Sequence, residues 1–220
     1  MAKMIEKLVR SFKRNVLRDE HLLAHKAWRR IKGNQTLRLD YDLDENSIVF
    51  DVGGFVGDFA SQIFEKYGCT VYVFEPSHAY YEHCKTRFDA NDKIIPLNYG
   101  LSDQDEKLRL SDDGDGASVF LDKDKTGELI ELRAIGPEMQ RLGIKQIDLM
   151  KLNIEGSEFP LLREMLDQNL VESVRFLQIQ FHDFIAGAPA LRQQIRDDLS
   201  ATHQEQWCFF FLWESWQLRK

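Results

Sequence analysis

In the stretch VFDVGGFVGDF, residues 49–59, three glycines (Gly53, Gly54 and Gly57) fall between a run of β-formers and the start of a helical pattern. Chains use that arrangement to bring backbone close to a nucleotide. Asp51 precedes the glycines and Asp58 follows them. Glu75 ends the next apolar run, where a carboxylate can reach ribose hydroxyls. A dinucleotide site wants G-x-G-x-x-G and a free helix N-terminus for pyrophosphate. Here the spacing is G-G-x-x-G, and Asp58 competes with pyrophosphate for the same N–H donors. A cofactor without phosphates but with cationic sulfonium and ammonium groups, S-adenosylmethionine, fits the surplus of acids better. The structural alternative is an ordinary glycine turn with Asp58 favouring its helix dipole.

The elements that would position these residues follow from periodicity. Apolar runs at 47–52, 70–75, 93–98, 146–153 and 174–181 predict strands. Helical patterns at 58–67, after Ser77 as an N-cap, at 157–167 and at 189–203 alternate with them. Such alternation predicts a doubly wound α/β domain, a mostly parallel Rossmann-like sheet. The runs 207–212 and 214–218 are too close for a crossover helix, so the C-terminal strand is expected to pair antiparallel. Residues 102–127, rich in Asp and Gly, read as loops or hairpins. On this sheet the carboxyl edge carries the glycine turn, Asn153, and His182 with Asp183.

The 220 residues suit one domain with an appendage. Residues 1–35 hold ten Lys/Arg against three Asp/Glu, a net of +7, whereas the whole chain carries −7. Residues 36–220, the expected cofactor-binding domain, therefore carry −14, which argues against nucleic acid as substrate. The basic extension is expected to be helical, with Ile5, Leu8, Val9, Phe12 and Val16 on one stripe, continued by a second helix over about 20–31. It reads as a lid or a dimer contact in preference to a membrane-surface helix, because Trp28 and Ile31 continue the apolar face toward the core. Neither a secretory signal nor a spanning segment is visible, so a cytoplasmic protein is expected, with Cys69, Cys84 and Cys208 as reduced thiols.

The segments FDVGGFVGDF (50–59), VFEPS (73–77), LNYGLSDQDEKLRL (97–110) and IDLMKLNIEGSEFPLL (147–162) resemble, in order, those of class I methyltransferases and more narrowly of the FkbM family. The resemblance covers roughly residues 47–182, and its most specific part is close to L-K-x-D-x-E-G-x-E. It implies methyl transfer from S-adenosylmethionine to an oxygen, usually a hydroxyl on a sugar, glycan or natural-product acceptor. By the same resemblance Asp51, Gly53 and Gly57 hold the methionine end, Glu75 the ribose, and Ser102 and Asp103 the adenine, with Gly54 also counted as cofactor-binding. Asn153 and Glu155 face the methyl group and the acceptor, while Glu158 reads equally as helix surface. The basic residues of EHCKTRF (82–88) read as a solvated face. The chain departs from the family at Phe55, often Asn, and at Asn153, usually Asp. Asn153 offers a hard cation only a neutral carbonyl; Glu155 and Asp183 remain as oxygen ligands, and no metal is assigned.

An acceptor hydroxyl must lose its proton as it attacks. His182 suits that task, since an ordinary imidazole is largely neutral at cytosolic pH, with Glu155 as the alternative base. The competing readings are an NAD-dependent oxidoreductase on a similar sheet and a non-catalytic module of the same fold.

Overall fold

The computed structural model describes residues 19–109 and 127–220. In chain order the strands are β1 (Ile48–Val52), β2 (Thr70–Phe74), β3 (Ile94–Leu97), β4 (Gly100–Ser102), β5 (Glu106–Arg109), β6 (Leu129–Ala134), β7 (Ile147–Leu152), β8 (Val174–Ile179), β9 (His203–Phe209) and β10 (Trp213–Leu218). The helices are α1 (Glu20–Arg30), α2 (Asp58–Tyr67), α3 (His78–Arg87), α4 (Ile135–Arg141), α5 (Glu158–Asp167) and α6 (Ala188–Thr202).

Seven strands form one sheet in the order β3-β2-β1-β7-β8-β10-β9. β3, β2, β1, β7 and β8 run parallel, and β10 lies antiparallel to both β8 and β9. The expected closing antiparallel pair is therefore present, with β9 starting four residues earlier than its apolar pattern suggests. From β1 the chain first winds outward through β2 and β3, then returns to the other side of β1 as β7. This reversal makes β1/β7 the switch point, and ligands of such sheets bind at the carboxyl ends beside it.

Alternation assigns each strand's side chains to two cores. Phe50 and Val52 of β1, with Met150 and Leu152 of β7, pack under α5 and α6 against Leu161, Leu162, Ile195 and Leu199. On the opposite face Val49 and Leu149 join Phe59, Ala60 and Ile63 of α2. Asp51 and Lys151 share this second face, directly opposite each other in register. The polar row continues: Lys151 lies opposite Gln178 of β8, and Gln178 opposite Ser215 of β10. Arg38 and Tyr41 cover it. Arg38 Nε donates to Gln178 Oε1 at 3.0 Å, and Tyr41 Oη donates to Ser215 Oγ at 3.2 Å.

One sequence expectation is extended and another corrected. Of the loops or hairpins expected over 102–127, the described part carries β5, which pairs antiparallel with β6; β4, β6 and β5 form a second small sheet in that order. Its strands have three to six residues and mixed polarity, too short for a period-2 signal. Ser77 does not cap α3 with its own side chain. Its hydroxyl donates to Glu128 Oε2 at 3.0 Å, and Glu128 Oε1 accepts the His78 N–H at 2.6 Å, so a carboxylate distant in sequence supplies the cap. The helix α1 packs on the rest of the chain, in line with the apolar face expected of Trp28 and Ile31 toward the core. Its N-cap Asp19 accepts the Leu22 N–H at 3.0 Å, and Trp28 packs with ring centroids 4.9 Å from Phe209 and 5.6 Å from Trp207. The apolar stripe from Ile5 to Val16 lies outside the described residues. No described helix is long and apolar enough to cross a membrane.

Candidate functional site

β1 ends in the glycine turn. The N–H groups of Gly53 and Gly54 both donate to Phe74 O of β2, at 3.0 and 3.2 Å, and the Gly57 N–H donates to Gly54 O at 2.8 Å. Gly53 has φ 82°, and a Cβ there would stand 2.0 Å from the carbonyl oxygen of Asn153, so only glycine lets the β1 and β7 loops close together. α2 then starts at Asp58, whose carboxylate does not turn back onto the helix N–H groups. It pairs with Arg87 Nη1 at 2.6 Å, and the same nitrogen donates to Val56 O at 2.7 Å. This corrects one expectation: Asp58 does not occupy the helix N–H groups itself. Arg87 is exposed, as expected of the solvated face, and it also braces the turn from α3.

Asp51 is fully buried, and sequence reasoning overlooked its partner. Lys151 Nζ, nearly as buried, lies 2.8 Å from Asp51 Oδ1 and donates to Gly53 O at 2.6 Å. Burial pulls the Lys151 ammonium below its usual range, and Asp51 opposes the shift. Asp51 Oδ1 is taken by Lys151, whereas Asp51 Oδ2 and Asn153 Oδ1 are buried acceptors with unused capacity. The acid surplus read from the sequence is thus smaller than it looked, because Asp51 and Asp58 each have a cation.

Glu75, just past β2, is held from both sides. Its Oε2 accepts the Phe55 N–H at 2.7 Å and its Oε1 accepts the Ser77 N–H at 2.9 Å. A carboxylate has about four lone-pair sites, so acceptor capacity remains for two further hydroxyls. Burial pushes its pKa up to about 7 against the two N–H bonds. Ser102, in β4, is buried, and its hydroxyl donates to Asp103 Oδ1 at 2.9 Å. Next to Pro76 lies a cavity of about 310 Å³ bounded by His78, Asn98, Lys107 and Glu128–Glu131.

The third cluster joins the loops after β7 and β8. Glu158, read ambiguously as helix surface, is completely buried. Its Oε2 accepts the Gly156 N–H at 2.8 Å; its Oε1 accepts the His182 N–H at 2.8 Å and lies 3.0 Å from His182 Nδ1. His182 Nε2 turns the other way, 3.5 Å from Glu155 Oε2. Glu155 sits in the left-handed region at φ 51°, a conformation uncommon outside glycine and concentrated at functional sites. Burial by itself would lower the His182 pKa, but hydrogen bonds to Glu155 and Glu158 and their charges outweigh it and lift it to about 9. The resting histidine is therefore an imidazolium, not the largely neutral ring expected from its ordinary value. Asp183, adjacent in sequence, is not the residue that orients it. Among the described residues no group of three or more His, Cys, Asp or Glu side chains is placed to hold a metal ion.

A twisted sheet with its switch point at a glycine turn, an acid on the neighbouring strand and an ionised cluster on the same edge defines a Rossmann-like methyltransferase fold. The description "Methyltransferase FkbM domain" matches residues 51–204, and the chain belongs to that family. Among solved structures the fold is similar to that of methyltransferase FkbM from Methylobacillus flagellatus KT, at 14% identity and a TM-score of 0.56, covering 81% of this chain and 45% of that one. The chain thus spans less than half the length of that protein. SMU.1697c from Streptococcus mutans, in complex with SAH, covers 86% of this chain and 97% of its own at 9% identity and a TM-score of 0.51. A rRNA methylase from Streptococcus thermophilus covers 86% and 96% at 10% identity and a TM-score of 0.50. No curated protein matches the sequence. The expectation of S-adenosylmethionine agrees with the family and with the SAH, the demethylated cofactor, held by the S. mutans protein. The exclusion of nucleic acid from net charge is not supported, because a rRNA methylase carries the same fold.

Proposed function

We propose that the chain is an S-adenosylmethionine-dependent O-methyltransferase acting on a hydroxyl of a sugar, glycan or natural-product acceptor, with residues 36–220 as the catalytic domain and 1–35 as its extension. What supports this reading is the meeting, at one switch point, of a glycine turn with its ribose acid and of a histidine oriented by a buried carboxylate. When bound, S-adenosylmethionine supplies a methyl group activated by a sulfonium. Gly53, Gly54 and Gly57 bring backbone against the cofactor, and Asp51 offers a buried oxygen to its ammonium group. Glu75 takes the ribose hydroxyls, while Ser102 and Asp103 border the adenine.

His182 is the proposed base. With Nδ1–H donated to Glu158, the neutral ring presents the Nε2 lone pair toward Glu155 and an incoming hydroxyl. Glu155 and Asn153 orient that hydroxyl from the β7 loop. Calorimetric titration with S-adenosylhomocysteine and with NAD tests the cofactor. Transfer of a labelled methyl group to hydroxylated sugars, to natural-product alcohols and to an rRNA transcript tests the acceptor. Binding of NAD alone, or labelling of the transcript alone, would replace this reading.

Glu75 yields a smaller prediction. Glu75→Gln should weaken S-adenosylhomocysteine binding by about tenfold, since a bond to a charged acceptor contributes about 1.5–3 kcal/mol. Glu75→Ala should lose more, because the Phe55 and Ser77 N–H groups also lose their acceptor. With the pKa near 7, wild-type affinity should rise as pH increases from about 6 to 8, and Glu75→Gln should flatten that rise. A pH-independent wild-type affinity would remove Glu75 from the ribose site.

A further inference from the structure

We propose that the ring of Phe55, backed by Tyr80, forms a stacking face for the purine of an adenine nucleoside whose ribose is held by Glu75; this rests on the reading of the site given above. Phe55 has φ 50°, a left-handed conformation that is an outlier for a bulky side chain. Its backbone is pinned there on both sides. The N–H donates to Glu75 Oε2 at 2.7 Å, and the carbonyl accepts the Cys84 thiol at 3.1 Å. The ring packs with Tyr80, in the first turn of α3, at a centroid distance of 4.4 Å. It remains 43% exposed, so the contact with Tyr80 leaves part of the ring open beside Glu75.

The surroundings point the same way. Of five large apolar side chains exposed among the described residues, Phe55 and Phe184 stand on loops of the sheet's carboxyl edge, and Leu129 lines the cavity beside Pro76. A nucleoside bound through its ribose to Glu75 carries its base on the same sugar, within a few ångströms of the atom that holds Phe55. Aromatic side chains bind bases by their π-faces, and such stacking is lost when the ring is removed.

The substitution Phe55→Asn separates stacking from folding, because asparagine adopts the left-handed conformation more readily than phenylalanine and keeps the N–H to Glu75. Calorimetry with S-adenosylhomocysteine should give a dissociation constant raised about tenfold or more, while the melting temperature stays equal to or above wild type. Phe55→Trp, which keeps a ring, should retain affinity within about threefold. An unchanged dissociation constant in Phe55→Asn, or a loss of affinity accompanied by a lower melting temperature, would overturn the proposal. Failure of the wild-type chain to bind S-adenosylhomocysteine would instead overturn the cofactor reading on which it rests.

Discussion

His182→Ala should lower turnover by about 10²–10⁴-fold while leaving S-adenosylhomocysteine affinity within about twofold. The ring lies between the β7 and β8 loops, and its proposed task concerns the acceptor's proton only. The pH profile adds a sharper check. At a pKa of about 9, imidazolium predominates at pH 7, and the neutral ring that can accept a proton grows about tenfold per pH unit up to about 9. Turnover should therefore climb between pH 7 and 9 and level above it. Glu158→Gln removes the buried charge that sustains the imidazolium, so the plateau should move to lower pH. A profile flat from pH 7 to 9, with turnover surviving in His182→Ala and lost in Glu155→Gln, would hand the base to Glu155. Stability runs in the opposite sense. The folded pKa lies above the ordinary 6.5, so the His182 ion pairs contribute fully below that value and their contribution is lost as pH rises through about 9.

Lys151→Met should lower stability by about 3–5 kcal/mol, because it strands the Asp51 carboxylate in the sheet without a cation. For a chain of this size that corresponds to a fall in melting temperature of roughly 6–20 °C. It also removes the donor to Gly53 O, so the glycine turn should loosen. Adding Asp51→Asn to Lys151→Met removes the stranded charge and should restore most of the loss, as exchanging a whole buried ion pair for neutral groups often does. A melting temperature within about 2 °C of wild type in Lys151→Met would show that the pair contributes little.

The parallel sheet was legible because β1, β2, β7 and β8 are short apolar runs broken by glycine or polar turns, and the helices between them show their period. The small sheet was not, since Gly100–Ser102 is too short to have a pattern and Glu106–Arg109 alternates charges as a loop would. The places of Gly53, Gly57 and Glu75 at two neighbouring strand ends could be read because the local turn and the strand end dictate them. Lys151 was missed although a signal existed: Asp51 stands two residues before Gly53 and Lys151 two before Asn153, so aligning the two strand ends places them side by side. The charge state of His182 was beyond sequence reasoning. It depends on Glu158 lying inside the fold, and an acid in the first turn of a helix reads just as well as surface.

The edge of the large sheet at β9 has a consequence for handling the protein. An outermost strand presents unpaired backbone groups to any other chain. Here its first half is shielded by the exposed polar side chains of Gln204, Glu205 and Gln206, and the pairing with β10 is irregular at Ser215/Trp216. Its second half, Trp207 to Phe209, is apolar, and there Trp28 of α1 is laid across Trp207, Phe209, Leu212 and Trp213. Trimming the chain to begin after Gly33 would keep every residue of the cofactor pocket but bare this aromatic strip beside open strand edges. Such a fragment should self-associate more readily than the full chain, which light scattering of the two at equal concentration would measure.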